Sequence, residues 1–346
     1  MLHHNIRSRT TPPAVTAQIV AIDVLAPDVR CLTLQLHEPF SYRAGQYVSL
    51  VLPDGSRRSL SPACAMRTGG TVMFHVQRQE NGVLTRLAFQ DFRAGDQIAI
   101  EGPFGTSVLG QPAAATIMLA TGTGIAPLIA MLEENFAART PREITLFWGA
   151  RDERDLYAAP LLAEWSRQHA GFRFVPVISG RDGYAQDAAA AAFPDLSGID
   201  IYACGSPRMV DGAKSKLLAL PGACPDRFYA DPFEPAGRSV ASTITAIIDL
   251  HLIGTGSIPI PLPAGASLLA GLANAGLPIG SVCGGQASCG TCRVKIAPEW
   301  QDQLPPPNKA ERRLLACLQD PDPAHRLACQ ITLDANLAGL AFSLDP

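Results

Sequence analysis

Through its first hundred or so positions the chain alternates apolar and polar residues over short runs. Val15–Val24, Cys31–Leu36, Tyr47–Leu52, Thr71–Gln77 and Gln97–Glu101 read as strands, with turn signals at Pro53-Asp54-Gly55 and Ala94-Gly95-Asp96. Many short strands with no long helical period predict an antiparallel β-barrel over residues 14–112, after a flexible stretch at 1–13. From Ala113 the rhythm changes. Ala115–Ala120, Glu143–Trp148, Phe172–Ile178 and Ile199–Ala203 read as buried strands, and Ile125–Ala138, Ala159–His169 and Met209–Leu220 as helices. That succession predicts a doubly wound α/β domain with a parallel sheet over residues 113–234. A stretch rich in Pro, Gly and Ser follows Asp231 and is expected to end that domain and act as a linker at 235–242. The remainder, 243–346, opens with a strand at Thr243–Ile253, then a helix at Ser267–Ala275, and then a Gly- and Cys-rich loop.

A chain of 346 residues suits two or three domains, and its 47% hydrophobic and 17% charged residues are those of an ordinary globular protein. A net charge of −3 without basic runs gives no electrostatic case for nucleic acid. Apolar stretches such as Ala114–Ala120 are of strand length, far below the ~20 residues of a membrane span. The segment Met1-Leu2-His3-His4-Asn5-Ile6-Arg7 has no apolar secretory core, so a cytoplasmic location is expected.

The cysteines change the picture most. Cys283, Cys289 and Cys292 share one Gly-rich loop, and Cys329 lies in Arg326-Leu327-Ala328-Cys329-Gln330-Ile331. Three thiolates on a short loop plus a distant fourth can enclose two irons and two sulfides, and glycines let the loop aim N–H groups at the sulfurs. A structural zinc site is the rival reading, but its usual signature is paired Cys-x-x-Cys knuckles and one such pair occurs here. Cys31, Cys64, Cys224 and Cys317 are expected to be small buried hydrophobes, with Cys317 a weaker competitor for the fourth ligand place. The segment resembles the [2Fe–2S] ferredoxin superfamily, an α+β β-grasp fold. Its first gap of five residues, and its Arg-Leu-x-Cys-Gln-Ile, are similar to the adrenodoxin and putidaredoxin branch. That branch has an acidic helix between the third and fourth ligands, where this chain carries the more basic Asn308–Cys317.

A second glycine-rich turn, Thr121-Gly122-Thr123-Gly124-Ile125-Ala126-Pro127, separates a predicted buried strand from a predicted helix. Such a turn presents unpaired N–H groups and a positive dipole end that suit a pyrophosphate, although tight turning alone could also explain it. Together with Arg58-Ser59-Leu60-Ser61, Gly82-Val83-Leu84-Thr85, Gly102-Pro103-Phe104-Gly105, Gly149-Ala150-Arg151 with Asp155-Leu156-Tyr157, and Cys204-Gly205-Ser206-Pro207, it resembles the ferredoxin–NADP reductase superfamily over about residues 14–235.

What that resemblance implies is specific. Arg58 would pair with a flavin phosphate, Ser59 and Leu60 would line the ring, and Ser61 would hydrogen-bond it near the atom that accepts hydride. Leu60 stands where the family usually has a stacking Tyr. His75, Val76 and Gln77 would flank the flavin, and Gly82, Val83, Leu84 and Thr85 would reach its phosphate. Taken alone, Arg57-Arg58 reads as a solvated turn pair and Thr85 as a helix N-cap. Thr121, Gly122, Thr123 and Gly124 would cradle the nicotinamide cofactor's pyrophosphate, with Arg151 and Asp155 near its adenosine half. Cys204 and Gly205 would lie beside the nicotinamide, and Phe233 would shield the flavin.

A flavin divides the electron pair of a nicotinamide between one-electron carriers, and the cofactors carry that chemistry. The resemblance therefore implies an NAD(P)H-dependent oxidoreductase that feeds single electrons to a separate terminal oxygenase, Rieske-type or cytochrome P450, and acts as a monomer. It is similar to the reductase components of Rieske-type oxygenases and demethylases. An electron-carrier or redox-sensing module, and a stand-alone ferric or flavin reductase, are the alternatives. Both FAD and FMN remain open. Asp152, Glu153 and Asp155 would repel a 2′-phosphate and favour NADH, whereas Arg151 and Arg181 could hold one and favour NADPH.

Overall fold

The computed structural model describes residues 14–344 except 81, 106, 111–114, 139–141, 234–243, 264–265, 276, 278, 280–284, 286, 288–289 and 319–321, and also leaves out the side chains of 244–246, 261–263, 274, 317 and 335. The chain divides into two compact units, Pro12–Ala236 and Gly237–Pro346.

The first unit contains two sheets. Strands β1 (Val15–Ala26), β2 (Val29–Leu36), β3 (Tyr47–Val51), β4 (Arg57–Leu60), β5 (Thr71–Gln77) and β6 (Gln97–Phe104) form an antiparallel sheet in the order β4-β3-β6-β1-β2-β5. An antiparallel bridge between Pro62 and Phe74 joins its two ends and closes it as a barrel. Alternate residues turn inward, so Ile19, Leu32, Leu34, Leu50, Phe74 and Ile100 fill one interior. The short helix α1 (Val83–Arg86) follows β5.

The second sheet has the order β11-β10-β7-β8-β9, from β7 (Thr116–Thr121), β8 (Ile144–Ala150), β9 (Phe172–Ile178), β10 (Asp200–Gly205) and β11 (Phe228–Pro232), all parallel. Helices α2 (Ile125–Phe136), α3 (Ala159–Gln168), α4 (Ala185–Ala192) and α5 (Pro207–Leu217) connect them. Separate apolar clusters pack α2 and α3 against the sheet on one hand and α4 and α5 on the other, which is why β7 reads as an almost unbroken apolar run. Two carboxylates of α2 fasten the barrel to this sheet. Glu134 accepts from Ala44 N at 3.0 Å and Arg43 Nη2 at 3.1 Å, and Glu133 accepts from Ala65 N at 2.8 Å.

In the second unit, β12 (Ile244–Leu252), β13 (Gly256–Pro263), β14 (Arg293–Ile296), β15 (His325–Leu327) and β16 (Ala341–Leu344) form a mixed sheet ordered β13-β12-β16-β14-β15. Helix α6 (Leu268–Asn274) packs Leu268 and Leu272 with Ile260, Val294 and Phe342 in its core. Short helix α7 (Pro298–Gln301) and helix α8 (Lys309–Cys317) lie between β14 and β15 in sequence. Glu311 of α8 is fully buried and takes both prongs of the Arg326 guanidinium, at 2.8 and 3.2 Å, together with Leu327 N at 2.8 Å. The only acid of that helix is thus turned inward. Removing either partner of such a pair leaves an uncompensated buried charge, which costs about 3–5 kcal/mol.

Arg57 and Arg58 lie on a strand, β4. One expectation is corrected. Cys224 is half-exposed, while Cys31 and Cys64 are buried. Cys317 ends α8, and its side chain lies outside the described residues.

Candidate functional site

Strand β4 sends its two arginines to different work. Arg57 pairs bidentately with Glu101, Nε to Oε2 and Nη2 to Oε1 both at 2.8 Å, which neutralises a carboxylate only 8% exposed on the neighbouring part of the barrel. Arg58 points its Nη1 at the Arg57 carbonyl at 2.7 Å and has no carboxylate partner among the described residues. Its charge is therefore available for an anion. Ser59 is exposed and Leu60 half-buried. Ser61 is buried and its Oγ donates to Asp231 Oδ2 at 3.4 Å.

On β5, Val76 is buried in the barrel and His75 Nδ1 meets Tyr157 Oη at 2.9 Å, with the rings edge to face. Tyr157 in turn packs edge-on against Trp148, whose Nε1 donates to the Gly122 carbonyl at 3.2 Å. A ring chain thus runs from the barrel to the glycine turn. Beyond β5, Gly82 caps α1, Leu84 is buried, and Val83 is half-buried. Thr85 is not a cap. Its Oγ1 accepts from Gln79 N at 2.9 Å and ties the loop before the helix.

Burial lowers the His75 pKa from 6.5 to about 4, so the ring is neutral in the fold near pH 7. The unfolded chain takes up this proton near 6.5 and the folded chain only near 4. Stability is therefore complete above about 6.5 and falls as the pH drops toward 4, by up to roughly 3 kcal/mol. Replacing His75 with Gln should flatten that acid limb in urea midpoints measured between pH 7.5 and 4.5. An unchanged slope would show that another group titrates there.

The turn Thr121–Gly124 leaves β7 and enters α2. Gly122 has φ +53°, and a Cβ there would lie 3.0 Å from Gln77 Oε1 on the barrel. At Gly124 a Cβ would sit 2.2 Å from the Cys204 carbonyl oxygen, and Gly205 (φ +131°) would place one 2.5 Å from the Thr121 carbonyl. These glycines are there because two strand ends and the barrel meet with no room for side chains. Thr123 is buried, and the Thr121 hydroxyl accepts from Ser206 N at 3.0 Å and donates to Ser206 Oγ at 3.4 Å. Cys204 is 2% exposed, and burial, then the charge of Asp231, keeps its thiol protonated well above the ordinary range. It is no nucleophile. Asp231 pairs with Cys204 in the β10–β11 register, and Phe233 N donates to the Gly205 carbonyl at 2.7 Å.

Ser61 thus reaches the end of β10 at Cys204 through Asp231, and Thr121–Gly124, Gly205 and Phe233 meet at the same strand ends, with Gln77 close to Gly122. Arg151 and Asp155 are exposed on the segment after β8. Arg181 is held by Glu153 at 2.7 Å and Asp182 at 3.0 Å. Two participants were given no role from the sequence. Asp231 could have been noticed as the acid two places before Phe233, and Tyr157 as the aromatic that closes the quoted Asp155-Leu156-Tyr157 run.

In the second unit, Cys283 and Cys289 lie outside the described residues. Cys292 is buried and its carbonyl accepts from Ala328 N at 2.9 Å, which brings the Cys329 segment beside it. Gln330 Nε2 lies 3.2 Å from Cys329 Sγ. A sulfur accepting an N–H suits a thiolate ligand, so this donor set fits an iron–sulfur cluster. An arginine without an acid partner and a glycine turn without room for a Cβ likewise fit a flavin phosphate and a dinucleotide.

Residues 16–108 match the oxidoreductase FAD-binding domain family, 118–215 the oxidoreductase NAD-binding domain family, and 254–334 the 2Fe-2S iron-sulfur cluster binding domain family. A reductase of CDP-6-deoxy-L-threo-D-glycero-4-hexulose-3-dehydrase from Yersinia pestis is 31% identical over 67% of this chain and 71% of its own. The reductase subunit of an aromatic O-demethylase from Amycolatopsis is 35% identical over 66% of this chain and 72% of its own. The chain belongs to the iron–sulfur flavoprotein reductases of the ferredoxin–NADP reductase superfamily. As such a reductase it is an oxidoreductase with FAD-binding, NAD-binding and 2Fe-2S domains. The crystal structure of an Amycolatopsis cytochrome P450 reductase is similar to this reductase with a TM-score of 0.61 and 33% identity, over 66% of this chain and 73% of the other. An intact type IV self-sufficient cytochrome P450 monooxygenase shares the fold over 97% of this chain and 42% of its own, with a TM-score of 0.67 at 19% identity. No helix among the described residues is long and apolar enough to cross a membrane.

Proposed function

We propose that this reductase takes electrons from NADH, passes them through FAD to its [2Fe–2S] cluster, and delivers them singly to a separate oxygenase. The observation that carries the reading is the convergence of Ser61, Cys204 and the Thr121–Gly124 turn at one junction, in a chain that also brings Cys292 and Cys329 together. The flavin, when bound, supplies the exchange between two-electron and one-electron transfer.

The chain's own residues bind and place. Arg58 holds the flavin phosphate, with Thr85 and the Gly82–Leu84 segment beside it. Ser59, Leu60, His75, Val76 and Gln77 line the ring, and Ser61 donates to it, itself backed by Asp231. Gly122, Thr123 and Gly124 cradle the dinucleotide pyrophosphate, and Thr121 fixes their turn to Ser206. Arg151 and Asp155 face the adenosine. Cys204 and Gly205 let the nicotinamide approach, and Phe233 covers the flavin in its absence. Cys283, Cys289, Cys292 and Cys329 hold the cluster. These assignments place the flavin domain at 14–112, the nucleotide domain at 113–234 and the ferredoxin domain at 243–346. The acceptor is a Rieske-type oxygenase or a cytochrome P450, met by a monomeric reductase in the cytoplasm. Relatives named as components of dioxygenase and monooxygenase systems support that partner class.

The test is an anaerobic titration of the purified protein with NADH and then NADPH, followed by absorbance and low-temperature EPR. NADH should bleach the flavin and bring up the signal of the reduced cluster. A bleached flavin with a silent cluster would overturn the one-chain relay.

Coenzyme choice has its own prediction. Glu153 and Asp182 occupy Arg181, one of the two cations that could meet a 2′-phosphate. Converting them to Gln and Asn frees the guanidinium. The kcat/KM for NADPH should rise roughly tenfold with little change for NADH. A constant NADPH-to-NADH ratio would remove Arg181 from the coenzyme site.

A further inference from the structure

Asn308 caps helix α8, and its amide is oriented by that duty. Oδ1 accepts from Glu311 N at 3.0 Å, so Nδ2 is left pointing the other way. It donates to Gln330 Oε1 at 2.8 Å. An amide whose oxygen is fixed has its nitrogen fixed too. The Gln330 Nε2 therefore faces the Gly285 carbonyl at 3.1 Å and Cys329 Sγ at 3.2 Å, one hydrogen for each. The opposite orientation would set the Gln330 carbonyl against another carbonyl and a sulfur, with no hydrogen between them. A helix cap thus decides, through two amides, that a donor and not an acceptor meets the sulfur of Cys329.

We infer that Gln330 raises the reduction potential of the cluster by hydrogen-bonding Cys329, and that Asn308 is the residue that positions it. One-electron reduction adds a negative charge shared with the ligand sulfurs, and an N–H aimed at a sulfur favours the more negative state. The same amide ties Gly285 of the cysteine loop to the Cys329 segment, so the donor is seated where the two halves of the ligand set meet. The inference rests on Cys329 being a cluster ligand.

The experiment is a potentiometric titration of the full-length holoenzyme, with the cluster followed by EPR and the flavin by absorbance. Gln330→Leu keeps size and charge but removes the donor. Asn308→Ser keeps a capping hydroxyl but is too short to reach Gln330. Gln330→Leu should shift the ratio of reduced to oxidised cluster at a fixed potential about tenfold toward the oxidised form, which for one electron is about 59 mV. Asn308→Ser should shift it in the same direction by less, and the flavin should titrate as in the parent protein. If Gln330→Leu fails to retain the cluster, Asn308→Ser decides alone. Clusters that form in the variants and titrate at the parent potential overturn the inference, and show the amides to be structural. Cys329→Ser separates the two premises. A cluster with unaltered spectrum and potential in that variant would mean that Cys329 is not a ligand. A changed cluster there, with Gln330→Leu and Asn308→Ser unshifted, would leave the ligand in place and remove only the donor.

Discussion

On the proposed ligand set, Cys292→Ala should abolish the [2Fe–2S] cluster and, with it, electron delivery to any one-electron protein acceptor, while NADH should still reduce the flavin. Cys292 is 1% exposed at the start of β14, and its carbonyl holds the Ala328 N–H that brings in Cys329. An alanine keeps that backbone bond and the fold of the strand, so the expected loss is of the proposed ligand and not of the scaffold. A cluster with one thiolate missing exposes iron to water and exchange, and part of the folding energy of this small unit goes with it. Iron and sulfide should fall to background and the EPR signal disappear. Flavin bleaching by NADH should persist, because the barrel and the nucleotide sheet form a unit of their own, Pro12–Ala236. Retention of full iron and of acceptor reduction would move the cluster to another set of cysteines, with Cys317 the first to test.

How far the sequence shows this in advance depends on the kind of pattern. The barrel strands from Val29–Leu36 and Thr71–Gln77 were readable because Leu32, Leu34 and Leu36, and Val72, Phe74 and Val76, recur at every second position on a buried face. Strand Arg57–Leu60 was not, since it is short, three of its four residues are polar and none is fully buried. Gly256–Pro263 carries Pro259, Pro261 and Pro263 at alternate positions, which argues against a strand until it is seen at a sheet edge, where one row of N–H groups is not needed. Helix Ala185–Ala192 is mostly alanine and has little apolar contrast to read. The same division holds in the site. Gly122, Gly124 and Gly205 stand out because local backbone geometry and close approach dictate their type. The Ser61–Asp231 and His75–Tyr157 contacts join residues far apart in the chain, and a single sequence gives no sign of which side chains will meet.

Gly124→Ala should cripple hydride transfer without emptying the flavin site. The backbone of Gly124 is ordinary, with φ −58° and ψ −13°, so the requirement for glycine is one of space. The added methyl would lie 2.2 Å from the oxygen of Cys204, 2.5 Å from its carbonyl carbon and 2.6 Å from the Cα of Gly205. All three are backbone atoms, so no rotamer change relieves the overlap, and the turn or the end of β10 must move by the better part of an ångström. That movement costs about 1–3 kcal/mol as overpacking. Its functional cost is expected to be larger, because the turn proposed to cradle the pyrophosphate and the strand end proposed to lie beside the nicotinamide are the two surfaces pushed apart. A displacement of about 1 Å at a reacting pair can lower a rate ~100-fold. Anaerobic stopped-flow bleaching of the flavin by NADH reads the step directly, and flavin content reads the fold. Gly69→Ala, where a Cβ meets nothing within 4 Å, is the control and should leave both unchanged. A Gly124→Ala protein that bleaches within about twofold of the parent would mean that the turn yields without moving the nicotinamide. The close approach of β7 and β10 would then be a feature of packing, and the placement of the hydride would have to come from Cys204 and Phe233.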